Sequence, residues 1–270
     1  MNALRSTMTG CVLVLSAVSA LAQPPESPLP PPKHGGVYVV AHRGAHEGIP
    51  ENTLPAYQRA IELGADFVEI DLRTTRDGEL VSIHNDSVED YAAGATGRVA
   101  EMTLAELRAL DLGARVGPEW AGARIPVFEE ILALCQGKIG IYLDMKHADV
   151  AQALALIRKY GMEKHVIWYI GGAQLKQLQE LCPECLPMPD PGPEQLLPMI
   201  LQQYKPRVVA SVWRFFSESF VEKCHAAGAI VIVDESYPSC WEEALSWRTD
   251  GIQTDHPADL IALLDKRGKP

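Results

Sequence analysis

The sequence predicts a single-domain (β/α)8 barrel. Three observations lead there. Short apolar runs alternate with amphipathic stretches from Val37 to Lys266, the pattern of parallel strands joined by helical crossovers. That span, 37–266, is long enough to close one barrel. No glycine-rich phosphate loop follows the first apolar run, which disfavours a doubly wound nucleotide-binding sheet.

The expected strands are Val37–His42, Phe67–Leu72, Leu80–His84, Ile139–Met145, His165–Ile170, Cys185–Met188, Arg207–Trp213, Ala229–Val233 and Gly251–Thr254. Helices are expected at Thr53–Leu63, Leu104–Leu110, Phe128–Leu134, Val150–Tyr160, Ala173–Leu181, Pro193–Gln203, Ser217–Ala227, Cys240–Trp247 and Pro257–Leu264. Pro55 and Pro257 sit in the first turns of their helices, where a missing N–H costs nothing. Nine strand candidates are one too many for eight positions. The link between Leu72 and Leu80 is too short for a helical crossover. Either one strand there is antiparallel or one candidate is irregular backbone at the rim.

Residues 1–22 have the form of a secretory signal: Arg5, the apolar run Cys11–Ala22, and small residues at Ala20 and Ala22. That run is too short to span a bilayer comfortably. The expected location is therefore secreted or periplasmic, with no stable membrane span after signal removal. Residues 23–36 are proline-rich and form a stiff leader. The net charge of −11 argues against nucleic acid as a partner. A bound metal could still bring a phosphodiester to so acidic a chain. Beyond the signal remain Cys135, Cys182, Cys185, Cys224 and Cys240, an odd number. Cys182 and Cys185 are expected as a local disulfide or two plain thiols, because the redox and zinc alternatives lack their context.

The chemistry concentrates between Ala41 and Asp86. Glu69 and Asp71 are two apart in a strand, so both point to one face, while Val68, Ile70 and Leu72 take the other. Paired carboxylates repel unless a cation lies between them, and a hard divalent ion, Ca²⁺ or Mg²⁺, suits their oxygens. Asp144 closes another apolar strand and can be the third carboxylate; Lys146 shares its face and offers a point charge to a phosphate. His42 and His84 stand at strand ends, and imidazole is the side chain best suited to serve as base and acid in turn. Arg43 can bind phosphate bidentately. Asn52 precedes a helix and can donate to phosphate or act near the cap.

The run AHRG…PENT…FVEIDLRTTRDGELVSIHND, followed by IPVFEEIL, IYLDMK and DGIQTDHP, resembles the glycerophosphodiester phosphodiesterase family. The resemblance implies a distorted (β/α)8 TIM barrel and a divalent cation held by Glu69, Asp71 and Asp144. It implies His42 and His84 as catalytic residues, a phosphate site lined by Arg43, Glu51, Asn52 and Lys146, and a small-molecule phosphodiester as substrate. The chain departs from the family pattern in four places. His-Asp is replaced by His84-Asn85-Asp86. Tyr91–Thr96 stands where Arg-Thr-Thr is usual. The third carboxylate is the shorter Asp144. Val233-Asp234-Glu235-Ser236 replaces Trp-Thr-Val-Asn. These changes bear on substrate identity more than on chemistry. Two alternatives stay open: action on lysophospholipid or sphingolipid head groups, with Trp213, Phe215 and Phe216 as a lipid-facing wall or as ordinary packing, and a non-catalytic metal- and phosphate-binding protein.

Overall fold

The computed structural model describes residues 25–234 and 237–268. The signal segment 1–22, Glu235 and Ser236 lie outside the described residues. The strands are β1 (Tyr38–Ala41), β2 (Phe67–Thr74), β3 (Leu80–Ser82), β4 (Gly140–His147), β5 (Val166–Tyr169), β6 (Leu186–Met188), β7 (Val208–Val212), β8 (Ile230–Asp234) and β9 (Gly251–Thr254). The α-helices are α1 (Leu54–Leu63), α2 (Leu104–Arg108), α3 (Phe128–Cys135), α4 (Val150–Lys159), α5 (Gly172–Leu181), α6 (Leu197–Tyr204), α7 (Glu218–Ala226), α8 (Trp241–Ser246) and α9 (Pro257–Arg267). Each matches an expected element to within a few residues.

The parallel strands run in the order β6-β5-β4-β2-β1-β9-β8-β7. Between β7 and β6 the backbone N–H of Ala210 donates to Pro189 O at 3.1 Å, which draws the two edges into a nearly closed barrel. The surplus strand is β3. It lies off this path and pairs antiparallel with the end of β2, Leu72 opposite Ser82 and Thr74 opposite Leu80. This resolves the count: a short hairpin extends β2 beyond the rim and returns the chain over the barrel mouth.

Strand alternation sorts the side chains. Val68, Ile70 and Leu72 are fully buried against the helical layer, among Ala60, Ile131 and Leu132. Each such side chain contributes roughly 1.5–3 kcal/mol on burial. Phe67 points inward, where Tyr38, Val40, Tyr142, Ile167, Val208 and Ile232 fill the lower barrel. Glu69 and Asp71 follow Phe67 on the inward face, one step higher each. A third apolar cluster lies outside the barrel, where Val88, Tyr91, Val99, Leu107, Leu112 and Ile125 form a lobe between β3 and α3.

The proline-rich segment is neither helix nor strand, yet its described part is packed. Leu29 is buried beneath the barrel beside Tyr38 and Phe67. Ser27 Oγ bonds Tyr38 OH at 2.7 Å, and Tyr38 OH donates to Pro30 O at 2.8 Å. Asp66 accepts the N–H of Lys33 (3.0 Å) and of Val39 (2.8 Å). Cys182 and Cys185 form a disulfide between α5 and β6, while Cys135, Cys224 and Cys240 are free thiols.

Candidate active site

The carboxylates are brought together by register. β2 and β4 are neighbours, and Asp71 lies directly opposite Asp144. Glu69, Asp71 and Asp144 each offer an oxygen, all within 4.8 Å of one another. Glu69 and Asp71 are almost completely buried. Burial, then the charges of Asp71 and Asp144, push the Glu69 carboxyl well above its usual range. Burial raises Asp144 too, against the pull of Lys146.

The register slips after Asp71, because Arg73 pairs with His147. The bulge carries Lys146 back over the cluster, with Nζ 2.6 Å from Asp144 Oδ2 and 3.3 Å from Asp71 Oδ1. Burial lowers the Lys146 ammonium, but Asp144 and Asp71 outweigh it and leave it above its ordinary value. Asp71 Oδ1 is buried and makes no hydrogen bond. Three crowded oxygens, one of them without a hydrogen bond, fit a hard divalent cation.

Arg43 and Asn52 both adopt left-handed backbone, with φ of 52° and 53°. For non-glycine residues this strain costs of order 1–3 kcal/mol each. It is held by a direct link, Asn52 N–H to Arg43 O at 3.0 Å. In this conformation Arg43 N–H donates to Glu69 Oε2 at 2.7 Å. Its guanidinium donates through NH1 to both oxygens of Glu51 at 3.1 Å and lies 3.7 Å from Asp71 through Nε. Asn52 is buried and turns its amide to Asp71 Oδ2 at 2.8 Å; Tyr57 and Ser82 hydroxyls donate to its carbonyl. Among the described residues its amide orients a carboxylate rather than capping the helix.

Gly44 permits this corner. Its φ is +85°, and a Cβ would lie 2.8 Å from the backbone of Ala56. Gly44→Ala should therefore destabilise the fold by about 1–3 kcal/mol. Because Arg43 is displaced with it, kcat/KM should fall as well, checked by denaturant titration beside a turnover assay.

The two histidines reach the mouth from different elements. His42 follows β1, and its Nδ1 lies 2.6 Å from Asp255 Oδ1, just after β9. His46 Nε2 approaches the same oxygen at 3.1 Å. Those two hydrogen bonds hold Asp255 well below the usual carboxylate range, against partial burial. An ionised carboxylate only accepts, so both rings donate to it and His42 presents Nε2. His84 follows β3. Arg73 pins its carbonyl through Nε at 3.1 Å and NH2 at 2.6 Å, and Asp71 O accepts the N–H of Ile83 at 3.0 Å. Asn85 Nδ2 donates to Asp90 at 2.8 Å, which leaves its Oδ1 to accept from His84 Nδ1 at 2.9 Å. His84 thus also presents Nε2. Asp86, shifted one place along the chain, pairs with Arg98 at 2.7 Å.

Asp255 was missed as a site residue, although it lies within the quoted TDHP. Its sequence signal is an acidic residue directly after an inward-facing strand. Trp213 keeps other company. It stacks on Trp247 at 5.6 Å and leans on Phe216 at 6.1 Å, which are the contacts of the packing alternative. Among the described residues, no helix is long and apolar enough to cross a membrane.

Comparison with known proteins agrees with this geometry. The profile of the Glycerophosphoryl diester phosphodiesterase family matches residues 42–170. The chain is 38% identical over 136 residues to the glycerophosphodiester phosphodiesterase of Caldanaerobacter subterraneus subsp. tengcongensis, covering 48% of this chain and 56% of the relative. It is 31% identical over 137 residues to a glycerophosphodiester phosphodiesterase of Bacillus subtilis, covering 48% of this chain and 46% of that one. The matched stretch spans about half the length of these relatives. The fold superposes on the crystal structure of glycerophosphodiester phosphodiesterase from Agrobacterium tumefaciens with a TM-score of 0.74 at 26% identity, covering 84% of this chain and 99% of that one. A phosphodiesterase of Oleispira antarctica, solved with the product sn-glycerol-3-phosphate, shares the fold at a TM-score of 0.77 and 23% identity, covering 84% and 96%. With its ordered motifs converging on one barrel mouth, the chain is similar to the glycerophosphodiester phosphodiesterase family, in sequence over residues 42–170 and in fold over most of the barrel.

Proposed function

We propose that the protein hydrolyses glycerophosphodiesters to glycerol 3-phosphate and an alcohol, with His42 and His84 as its acid–base pair. The observation that carries this is the arrangement of the two rings. Each is held through Nδ1, by Asp255 and Asn85, which leaves Nε2 open. His42 precedes Arg43, whose N–H bonds Glu69 of the buried carboxylate cluster, and His84 acts electrostatically on Asp144 of the same cluster. A pure binder has no need of two rings oriented in this way. The named relatives support the same chemistry.

Glu69, Asp71 and Asp144 would hold a divalent cation, Ca²⁺ or Mg²⁺, which supplies Lewis acidity toward a phosphate oxygen. Arg43 and Lys146 present positive charge to the remaining phosphate oxygens. One imidazole takes the proton of the neighbouring glycerol 2-hydroxyl, whose oxygen bonds to phosphorus as the bond to the alcohol breaks. The other gives its proton to the departing alcohol oxygen. Water then opens the cyclic ester with the two roles reversed. Release of glycerol 3-phosphate from a panel of diesters, with Ca²⁺ or Mg²⁺ supplied, tests this directly. Absence of release under every condition would sink it.

Asp255 positions His42 and keeps its proton on Nδ1. Asp255→Asn retains an acceptor oxygen but loses the charge. Its expected effect is a fall in kcat of about 10–100-fold, below that of losing the ring, with KM little changed. The variant also reports on acid stability. A depressed carboxylate pKa stabilises the fold above the ordinary range near pH 4 and loses that contribution as pH falls. The melting-temperature gap between wild type and Asp255→Asn should therefore close on acidification below about pH 4. It should be small, since the carboxylate side chain is 45% exposed.

A secreted or periplasmic location fits the same reading. The Cys182–Cys185 disulfide supports it, because such bonds persist in oxidising compartments.

A further inference from the structure

Beside the carboxylate cluster a cavity of about 380 Å³ opens between the barrel mouth and the lobe that follows β3. This is within the volume range of small-molecule sites, roughly 300–1,000 Å³. Arg43 and Glu51 form its barrel wall; Tyr91, Leu112, Arg115 and Val116 form its lobe wall. The lobe is tied to the barrel loop by Trp120 Nε1, which donates to Gly48 O at 2.7 Å.

The cavity is continuous with the chemistry at two points. Arg43 faces Asp71 with one edge of its guanidinium and Glu51 with another. Asn85, which also lines the cavity, holds the His84 ring at 2.9 Å. A phosphodiester has two arms. The glycerol arm must keep its hydroxyl at the carboxylates, so the alcohol arm extends past Arg43 on the His84 side, into this space.

The charges lining the cavity are not equivalent. Arg43 is satisfied by both oxygens of Glu51. Asp90 accepts the Asn85 amide at 2.8 Å. Tyr91 is buried, and its hydroxyl accepts the N–H of Asn85 at 3.0 Å. Arg115 makes no hydrogen bond or ion pair with any described residue. Asp90 has spent one oxygen on that amide, whereas Arg115 has all of its donors open, so the group with the most bonding capacity to offer is a cation. A quaternary ammonium is best held over open aromatic faces, and the cavity's aromatic residue, Tyr91, is buried; the lining carboxylate without an ion pair, Asp90, is offset by Arg115. Hydroxyls and anionic groups suit a free guanidinium, which donates five N–H bonds. Leu112 and Val116 offer apolar surface to the C–H face of a ring or chain.

We propose that this cavity is the subsite for the departing alcohol, and that Arg115 makes it select hydroxyl-rich, neutral or anionic alcohols over quaternary ammonium alcohols. This rests on the hydrolytic reading given above. The test measures kcat/KM of the full-length protein with divalent cation on glycerophosphoinositol, glycerophosphoglycerol and glycerophosphocholine. The wild type should favour the two polyol diesters by about tenfold, the scale of one charge-assisted hydrogen bond. Arg115→Glu should erase or invert that preference, and Arg115→Lys should restore part of it. Arg115 is exposed, so both variants should melt with the wild type. Equal use of the three diesters, or a preference that Arg115→Glu leaves unchanged, overturns the subsite assignment while leaving hydrolysis intact. If no diester is turned over at all, the hydrolytic reading fails first and the subsite with it.

Discussion

Chelating divalent cations should abolish turnover and lower the melting temperature of the wild type, but not that of Glu69→Gln. Glu69, Asp71 and Asp144 crowd their oxygens within 4.8 Å in a largely buried site. Without a cation the three charges repel, and Lys146 offsets only part of that. A ligand that binds only the native state stabilises it in proportion to the logarithm of its concentration. At a hundredfold excess over Kd the gain is about 2.7 kcal/mol, which for a domain of this size raises the midpoint by roughly 5–10 °C. Glu69→Gln removes one charge and keeps an oxygen to accept the Arg43 N–H. The metal-free variant should then melt above the metal-free wild type. It should also gain little from added Ca²⁺ or Mg²⁺ and turn over at a background rate. Equal thermal shifts in the two proteins would show that these carboxylates do not hold the ion.

His42→Ala and His84→Ala should each reduce kcat by about 10²–10⁴-fold. The double variant should lose little more than the worse single one, because two groups that act as a unit in one proton transfer sequence are not additive. Neither ring carries the core. His42 and His84 are half-buried at strand ends, so the circular dichroism and melting profile of both variants should stay near wild type. Near wild-type turnover by both would exclude them as the acid–base pair.

Much of the fold was legible because alternating apolar runs translate directly into strand and helix periods. The excess strand was legible as a problem but not as a solution. Only pairing shows that β3 folds back on β2, and this is what lifts His84 over the mouth. The carboxylate triad was legible because Glu69 and Asp71 share a face by local geometry. The missing parts are all long-range. Asp255 meets His42 across 213 residues of sequence, and no local pattern predicts that encounter. Asn52 reads locally as a capping or phosphate-binding residue, and its 2.8 Å bond to Asp71 is visible only in the fold. Trp213 reads in sequence as either a lipid-facing wall or ordinary packing, and only the fold shows Trp247 as its stacking partner. The leader reads as a spacer because proline excludes regular structure, but irregular chain can still bury a Leu29 under a barrel.

The hydrogen bond from His42 to Asp255 joins the first strand's end to the last strand's end. β1 pairs with β2 on one side and with β9 on the other, so this contact forms only once β9 has docked beside β1. A chain emerging from synthesis has His42 and the three carboxylates early, but it stays catalytically unsupported until its final segment docks. Long-range closures of this kind are slow relative to local helix formation. Recovery of turnover during refolding should consequently follow the slowest structural phase, which makes enzymatic activity a clock for completion of the whole domain.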